Sequence, residues 1–213
     1  MNRQYIRFIS FEGIDNCGKT TQIRLLMQRL QAYQIQPYIV REPGGTPISE
    51  AIRTILLNPQ FQEMHPHTEI LLYSAARSQL VSQQLLPLLE AGNYIIADRF
   101  FDSTTAYQGY GRGIDLQMVR LLNQFATAGL RPARTILIDV SPQTASARQQ
   151  DNRDRLEKGS TEFYQRVREG FLQIAHQEPE RFIIIDGEQP ETLVAQEVWK
   201  IVQDLWELPP LPE

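Results

Sequence analysis

Cysteine is almost absent from this sequence of 213 residues, and so is any long apolar run. The single cysteine, Cys17, excludes an internal disulfide and suits a reducing compartment. No apolar stretch approaches the roughly 18 residues that a membrane span needs. The N-terminal segment contains Arg3 and Arg7 but no apolar core of a signal peptide. We therefore expect a cytoplasmic protein with no membrane partner.

Positive charge is also scarce. Lysine and arginine number 21 against 25 acidic residues, which gives a formal net charge of −4. Nucleic-acid binders are usually basic, so we expect no nucleic-acid partner. The basic residues divide unevenly, with 3 lysines beside 18 arginines. Arginine binds phosphate through a planar fork of donors, but a bias in genome composition explains the same excess.

What the sequence does contain is an alternation of β-rich runs and helical stripes. Strands are predicted at residues 5–11, 37–40, 94–97, 135–140 and 182–185, and helices at 20–33, 48–57, 68–90, 116–128, 161–176 and 191–205, of which the helix at 68–90 is interrupted near Pro87. Strands separated by helices indicate parallel pairing, here in an open, doubly wound α/β sheet. Ligands of such sheets bind beyond the carboxyl ends of the strands, so residues that follow strands are candidate site residues.

A phosphate-binding loop follows the first predicted strand. Gly13-Ile14-Asp15-Asn16-Cys17-Gly18-Lys19-Thr20 fits the Gly-x-x-x-x-Gly-Lys-Ser/Thr pattern, between a strand and a helix. Its glycines let backbone N–H groups converge on phosphate oxygens. Lys19 is predicted to reach the β- and γ-phosphates, and Thr20 to ligate Mg²⁺. The sequence therefore predicts nucleoside-triphosphate binding, and the lack of an Asn-Lys-x-Asp motif argues against a GTPase.

Two shorter motifs follow later strands. Arg41-Glu42-Pro43-Gly44-Gly45-Thr46 places an arginine at the carboxyl end of the second strand, either in a surface turn or in a binding site. Asp98-Arg99 follows the apolar run at 94–97. A carboxylate at that place is typical of the acidic element of P-loop enzymes that handles Mg²⁺, although a salt bridge that ends the strand is the alternative.

The segment at residues 100–113 is polar, aromatic and rich in glycine. Its side chains Ser103, Thr104 and Gln108 can hydrogen-bond to the edge of a base. Alternatively, Asp102 or Ser103 caps the start of a helix, and both interpretations can hold together.

In order and spacing these motifs resemble the thymidylate kinase family. The resemblance extends over nearly the whole chain and rests on Phe11-Glu12-Gly13-Ile14-Asp15 with the phosphate loop, the motif at 41–46, Asp98-Arg99, Ala106-Tyr107-Gln108-Gly109 and Asp154-Arg155-Leu156-Glu157. It implies a P-loop kinase fold, with a five-stranded parallel sheet flanked by helices. It also implies one domain over residues 1–207 with a small flexible lid at about 144–162, and a short C-terminal tail at 208–213.

The resemblance implies an activity as well. The family transfers the γ-phosphoryl group of ATP to thymidine monophosphate in the synthesis of thymidine triphosphate, with Mg²⁺ as cofactor. Residues Gly13 to Thr21 would bind ATP, and Thr20 and Asp98 the metal. A homodimer is implied, with contacts on the helices at 68–90 and 116–128. Two alternatives remain, namely a kinase for another nucleoside monophosphate and a non-catalytic nucleotide-binding module.

Individual roles follow by position in the same motifs. Asp15 would bind the sugar 3′-hydroxyl, and Tyr73 would stack on thymine. The acceptor phosphate would be held by Arg41, Arg77 and Arg99, and the base edge read by Thr104 and Gln108. Without the resemblance, Tyr73 is an ordinary aromatic of a helix core and Arg77 a solvated charge.

Catalysis is assigned in the same way to Lys19, Asp98, Arg99 and two lid arginines. Some members of the family carry an arginine in the phosphate loop, but this chain has Asn16 there. The lid must therefore supply the charge, and Arg148 and Arg153 are the candidates. The resemblance also implies a cis peptide bond between Glu42 and Pro43.

Overall fold

The computed structural model describes residues 3–148 and 160–210, which fold around a five-stranded sheet. The strands are β1 (Phe8–Glu12), β2 (Tyr38–Arg41), β3 (Ile95–Asp98), β4 (Arg134–Asp139) and β5 (Phe182–Asp186). Their order is β2-β3-β1-β4-β5, and every neighbouring pair is parallel. The prediction of a parallel, doubly wound α/β sheet is confirmed.

Helices cover both faces of the sheet. Within the described residues they are α1 (Lys19–Gln31), α2 (Pro47–Leu57), α3 (Pro66–Leu80), α4 (Leu86–Glu90), α5 (Phe101–Thr104), α6 (Leu116–Thr127), α7 (Pro142–Ala147), α8 (Thr161–Gln177) and α9 (Glu191–Leu205). Two π-helical segments, Val81–Leu85 and Thr105–Gly111, continue α3 and α5, and a 3₁₀ helix spans Arg3–Arg7. None of the helices described here is long and apolar enough to cross a membrane.

The central strand β1 is buried along its whole length. Its side chains alternate between two core clusters, because successive residues of a strand point to opposite faces. Ile9 and Phe11 pack in the cluster that includes α1, α8 and α9, whereas Phe8 packs with residues of β2, β3 and the Val81–Leu85 segment. Burial on both faces explains why the strand is apolar without alternation.

Strand register brings the candidate motifs to one edge of the sheet. Asp98 at the end of β3 pairs with Phe11 of β1 on one side and with Arg41 of β2 on the other. The segments that leave these three strands therefore start side by side. They are the phosphate loop, the loop that begins at Glu42, and the segment that begins at Arg99.

Two local predictions were wrong in detail, and one was confirmed. The first strand begins at Phe8 and not at residue 5, because the preceding 3₁₀ turn packs under the end of α9, where the Trp206 indole donates to the Ile6 carbonyl over 3.1 Å. The interruption predicted near Pro87 in the helix at 68–90 is confirmed, because the π-helical segment Val81–Leu85 divides this helix just before Pro87, which has no N–H to bond the carbonyl four residues back. Neither Asp102 nor Ser103 caps a helix, since α5 already begins at Phe101.

Candidate active site

A cleft of about 240 Å³ opens at the edge of the sheet where β1, β2 and β3 end. It gathers side chains from the phosphate loop, α2, α3 and α5. It is lined by Asp15, Asn16, Lys19, Thr20, Arg41, Glu42, Pro43, Arg53, Leu57, Tyr73, Arg77, Asp98, Arg99, Phe100, Ser103, Thr104, Tyr107 and Gln108. Every residue predicted to bind the acceptor nucleotide therefore lies in this one cleft.

The phosphate loop wraps tightly around the start of α1. Gly13 has φ 137°, and a Cβ there would lie 2.5 Å from the Ile138 carbonyl oxygen, so only glycine fits. The side chains of Ile14 and Cys17 are buried in the core, which leaves the loop backbone to face a ligand. Lys19 Nζ donates to the carbonyls of Gly13 and Ile14, over 3.2 and 3.0 Å. This places one buried cation inside a ring of backbone groups at a helix N-terminus.

Thr20 and Asp98 form the pair predicted to hold Mg²⁺. The Thr20 hydroxyl donates to Asp98 Oδ2 over 3.1 Å. Two oxygen ligands at 2.0–2.1 Å from Mg²⁺ and at right angles are about 3 Å apart, so this pair matches two adjacent positions of an octahedron. Oxygen donors also suit the ion, which binds proteins through one or two carboxylates and completes its shell with phosphates and water.

Arg99 joins the phosphate loop to the segment after β3. Its backbone has φ 71°, an uncommon value for a residue with a side chain. Nη2 donates to Asp15 Oδ1 over 2.6 Å, while Nη1 donates to the Gly13 carbonyl and to Ser103 Oγ, over 2.8 and 3.0 Å. Four acceptors thus define the guanidinium orientation, since the Tyr107 hydroxyl also accepts from Nη2 at 3.3 Å.

Asp15 is the anionic centre of the cleft. Besides Arg99, the hydroxyls of Tyr107 and Tyr164 donate to its Oδ2, over 2.9 and 3.1 Å. Burial raises the pKa of Asp15, but the charges of Arg99 and Lys19 outweigh that effect and hold it below its usual value. The carboxylate is therefore ionised at neutral pH and ready to accept a hydrogen bond.

Arg41 stands at the mouth of the cleft with Arg53. Arg41 Nη2 donates to both oxygens of Glu50, over 3.1 and 3.2 Å, and its side chain is half exposed. Arg53 Nη1 donates to the Pro43 carbonyl over 2.9 Å. The Glu42–Pro43 bond is cis, as predicted. Arg41 and Arg53 therefore add two partly exposed cations to the cleft that the buried Lys19 also lines.

Arg77 lies deeper than the other arginines, with 2% of its surface exposed. Nε donates to Glu42 Oε2 over 2.7 Å, and the two terminal nitrogens donate to Asn123 Oδ1 and to the Phe100 carbonyl, both over 3.3 Å. Burial raises the pKa of Glu42 against the opposing effect of Arg77. Arg77 therefore lines the floor of the cleft while protein acceptors already hold its guanidinium.

The face of the cleft assigned to the base contains Tyr73, Thr104 and Gln108. Thr104 Oγ1 is buried and has no hydrogen-bond partner among the described residues. Gln108 Nε2 donates to Glu69 Oε1 over 2.9 Å. One free hydroxyl and one oriented carboxamide beside an aromatic ring can recognise a planar base.

Of the two lid arginines, Arg148 reaches the phosphate loop. Its terminal nitrogens donate to the carbonyls of Cys17 and Gly187, over 3.4 and 3.0 Å. Arg153 lies outside the described residues, and so does most of the predicted lid at 144–162, including the Asp154-Arg155-Leu156-Glu157 motif.

Several residues of this site received no role from the sequence. Arg53 and Tyr164 join the network through partners elsewhere in the chain, and no local pattern marks them. Glu12 lies within the quoted Phe11-Glu12-Gly13-Ile14-Asp15 motif, but its contacts with Phe100 and Ser103 were not predicted. Tyr107 lies within the quoted Ala106-Tyr107-Gln108-Gly109 motif, so the sequence marked it as a motif residue. Its hydrogen bond to Asp15 could not be predicted from that motif.

The fold and this cleft together define a P-loop nucleotide-binding phosphotransferase, with a backbone phosphate cradle facing one aspartate and several arginines. The model of the family described as thymidylate kinase matches residues 11–198. The chain therefore belongs to the thymidylate kinase family.

Individual relatives agree with this assignment. The thymidylate kinase of Caldanaerobacter subterraneus subsp. tengcongensis is 47% identical over 199 residues, which cover 93% of this chain and 95% of the relative. The thymidylate kinase of Symbiobacterium thermophilum is 44% identical over 199 residues, or 93% of each chain. That of Geotalea uraniireducens is 46% identical over 190 residues, or 85% of this chain and 89% of the relative.

Proposed function

We propose that this protein transfers the γ-phosphoryl group of ATP to thymidine monophosphate, giving thymidine diphosphate and ADP. The observation that supports this most directly is that one cleft is lined by the phosphate-loop Lys19 together with Arg41, Arg99 and the aromatic Tyr73. One end of the cleft suits a triphosphate, and the other suits a monophosphate attached to a planar base. The product then enters the synthesis of thymidine triphosphate.

Positioning and charge neutralisation account for the chemistry. An oxygen of the acceptor phosphate attacks the γ-phosphorus in line, and that oxygen is already anionic near neutral pH, so no strong general base is required. Lys19 neutralises charge that develops on the transferred group, together with Arg148 and Arg153 of the lid. Arg41, Arg77 and Arg99 hold the acceptor phosphate.

The remaining contacts orient the acceptor nucleoside. Asp15 accepts a hydrogen bond from the sugar 3′-hydroxyl, Tyr73 stacks on the base, and Thr104 and Gln108 read its edge. The ATP phosphates lie on the backbone of Gly13–Thr21. Closure of a lid at about 144–162 excludes water that would otherwise hydrolyse ATP.

Thr20 and Asp98 would hold Mg²⁺, and their 3.1 Å separation supports this assignment. Bound there, the ion supplies charge neutralisation at the phosphates. Asp98 is oriented for this role by its place at the end of β3 and by the hydrogen bond from Thr20.

The proposal is tested with a coupled assay of ADP release across nucleoside monophosphates. Thymidine monophosphate is expected to give the highest kcat/KM. Deoxyuridine monophosphate lacks one methyl group and is expected to be about 10–200-fold weaker. Cytidine and purine monophosphates should give negligible turnover. A cytidine or purine monophosphate in first place would refute the substrate and leave a nucleoside monophosphate kinase, whereas no ADP release with any acceptor would indicate a nucleotide-binding module.

We further propose a homodimer. An exposed apolar face extends over the adjoining helices α2, α3 and α6, which supports it. Phe125 and Leu121 of α6 are 82% and 61% exposed, and Leu71 of α3 is 55% exposed. Contiguous apolar patches on a protein surface commonly mark interaction sites. The two helices predicted for this contact, at 68–90 and 116–128, correspond to α3 with α4 and to α6.

The organisation proposed for the chain is one domain over residues 1–207 followed by a short tail at 208–213. A cytoplasmic location is proposed with it, supported by the single cysteine, Cys17, which is buried and free.

A further inference from the structure

The orientation of Gln108 decides which base edge the cleft can accept. A carboxamide presents either its oxygen, which accepts, or its NH₂ group, which donates, and rotation of the amide exchanges the two. Thymine and uracil have an N–H donor at ring position N3, whereas cytosine has an acceptor there. Whether the carboxamide oxygen or the NH₂ group of Gln108 points towards the cleft therefore distinguishes these two kinds of pyrimidine.

Glu69 determines which of the two groups of the Gln108 carboxamide points towards the cleft. Gln108 Nε2 donates to Glu69 Oε1 over 2.9 Å, and the two residues are only 2% and 1% exposed. An ionised carboxylate accepts hydrogen bonds and donates none, so it binds the amide through the NH₂ group. The carboxamide oxygen is then left for the cleft that Gln108 lines.

Two features favour the ionised form of Glu69. Arg112 Nε donates to Glu69 Oε1 and Arg112 Nη2 donates to Oε2, both over 3.3 Å. Glu69 also lies in the first turn of α3, where the helix dipole stabilises negative charge. Arg112 is itself held in place, because its guanidinium lies 4.8 Å from the centre of the Phe163 ring.

We propose that Arg112 and Glu69 form a relay that fixes Gln108 as a hydrogen-bond acceptor towards the base, so that the protein selects pyrimidines with an N3–H donor over cytosine. Glu69 and Arg112 stand behind Gln108, outside the set of described residues that line the cleft. They are positioning residues and do not touch the substrate. The proposal rests on the proposed function and adds to it the residues that set base selectivity.

The physical cost of the alternative explains the selectivity. To donate to cytosine N3, Gln108 must rotate its oxygen towards the Glu69 carboxylate, which places two acceptors about 2.9 Å apart. A buried hydrogen bond is lost and replaced by repulsion. Losses of this kind correspond to about 10–100-fold in binding.

The test replaces Glu69 by an isosteric amide that can either donate or accept. In Glu69→Gln, Gln108 is free to rotate, so the ratio of kcat/KM for thymidine monophosphate to that for deoxycytidine monophosphate is expected to fall about 10–100-fold. The ratio of thymidine to deoxyuridine monophosphate should stay constant, because both bases have the same N3–H group. The exposed Glu63→Gln provides a matched control in the loop before α3 and should change neither ratio. Calorimetric Kd values for the same nucleotides check that the change is in binding.

A second measurement uses the unaltered protein, in case Glu69→Gln does not fold. In spectra of ¹⁵N-labelled protein, the Gln108 side-chain NH₂ signal, identified by its loss in Gln108→Leu, should be protected from solvent exchange with and without thymidine monophosphate. An NH₂ group that exchanges like that of an exposed glutamine overturns the relay.

The outcomes separate the relay from the proposed function. If the unaltered protein phosphorylates thymidine monophosphate and Glu69→Gln keeps the full selectivity against cytosine, only the relay is wrong. Equal losses for both nucleotides also overturn it, since they indicate a purely structural role. If the unaltered protein does not use thymidine monophosphate, the proposed function fails and the relay fails with it.

Discussion

Glu12 is a buried carboxyl group on which the position of Arg99 depends. It ends β1 and is fully buried, and its two oxygens accept hydrogen bonds from the Phe100 N–H over 2.7 Å and from Ser103 Oγ over 2.6 Å. Ser103 Oγ also accepts from Arg99 Nη1 over 3.0 Å. Glu12 therefore anchors the segment on both sides of the Arg99 guanidinium.

This burial makes the stability of the protein depend on pH. Burial and the nearby Asp102 raise the pKa of Glu12 from 4.5 to about 7, against the opposing effect of Arg99. Between pH 4.5 and about 7, Glu12 of the folded protein therefore keeps a proton that the same group of the unfolded chain has lost. The resulting stabilisation is fully present below pH 4.5 and is lost as the pH rises through about 7. Since one pKa unit corresponds to about 1.4 kcal/mol, the loss amounts to about 3 kcal/mol.

The substitution Glu12→Gln removes the titrating carboxyl group and keeps nearly the same side-chain shape. The amide oxygen can still accept from the Phe100 N–H, and the NH₂ group can donate to Ser103 Oγ. We expect the variant to match the unaltered protein near pH 5 and to exceed its free energy of unfolding by about 3 kcal/mol at pH 8.

Urea unfolding at pH 5, 6, 7 and 8 measures this difference. Subtracting the two proteins cancels the titrating groups that do not interact with Glu12, so the difference curve reports the titration that depends on Glu12. The exposed Glu90→Gln is the control and should give a flat difference curve. A flat curve for Glu12→Gln, or one that falls with rising pH, would refute the reasoning.

Three further predictions test other parts of the molecule. Lys19→Ala should lower kcat about a thousandfold with an unchanged circular dichroism spectrum, because one positioned cation is lost, and near-normal turnover contradicts the phosphate-loop assignment. Phe125→Glu should convert a dimer at micromolar concentration into a monomer in sedimentation experiments, and an unaltered protein that is already monomeric rules out the proposed interface. Arg181→Met leaves the Asp102 carboxylate, 1% exposed, without its bidentate partner at 2.6 and 2.7 Å, so the thermal midpoint should fall by about 10 °C. Adding Asp102→Asn should recover part of that loss, and no recovery contradicts the buried pair as its cause.

Local patterns predicted those parts of the fold whose cause is local. The helix over Glu191–Leu205 has the predicted bounds, because its apolar residues recur at helical spacing and Pro190 precedes it. The phosphate loop was predictable for the same reason, since the strand, the glycines and the helix are consecutive. The order of the strands was not, because register depends on pairs such as Arg41 with Asp98 that are far apart in the chain.

The parts that could not be predicted depend on distant partners. Glu12 follows the strand predicted at 5–11 and belongs to a quoted motif, but its role depends on Phe100 and Ser103, which only the fold brings to it. Glu69 reads as an ordinary acidic residue in the first turn of a helix, and its partner Gln108 is 39 positions away. Hydrophobic periodicity also assumes 3.6 residues per turn, so it gives no signal for the wider π-helical turn at Thr105–Gly111.

That π-helical turn explains how buried charges can orient a base-reading surface. Phe101–Gly111 is one continuous helical element whose front face contributes Thr104 and Gln108 to the cleft. Buried charges hold it on other sides, because Asp102 pairs with Arg181 of the segment before β5, and the Glu69 carboxylate of α3 accepts a hydrogen bond from Gln108. Burying the charges of these pairs costs desolvation free energy, so each pair adds little to the stability of the fold. The energy of each pair nevertheless depends strongly on the orientation of its side chains. Since a site must hold its ligand contacts within a fraction of an ångström, buried pairs of this kind give the element its specific position rather than its stability.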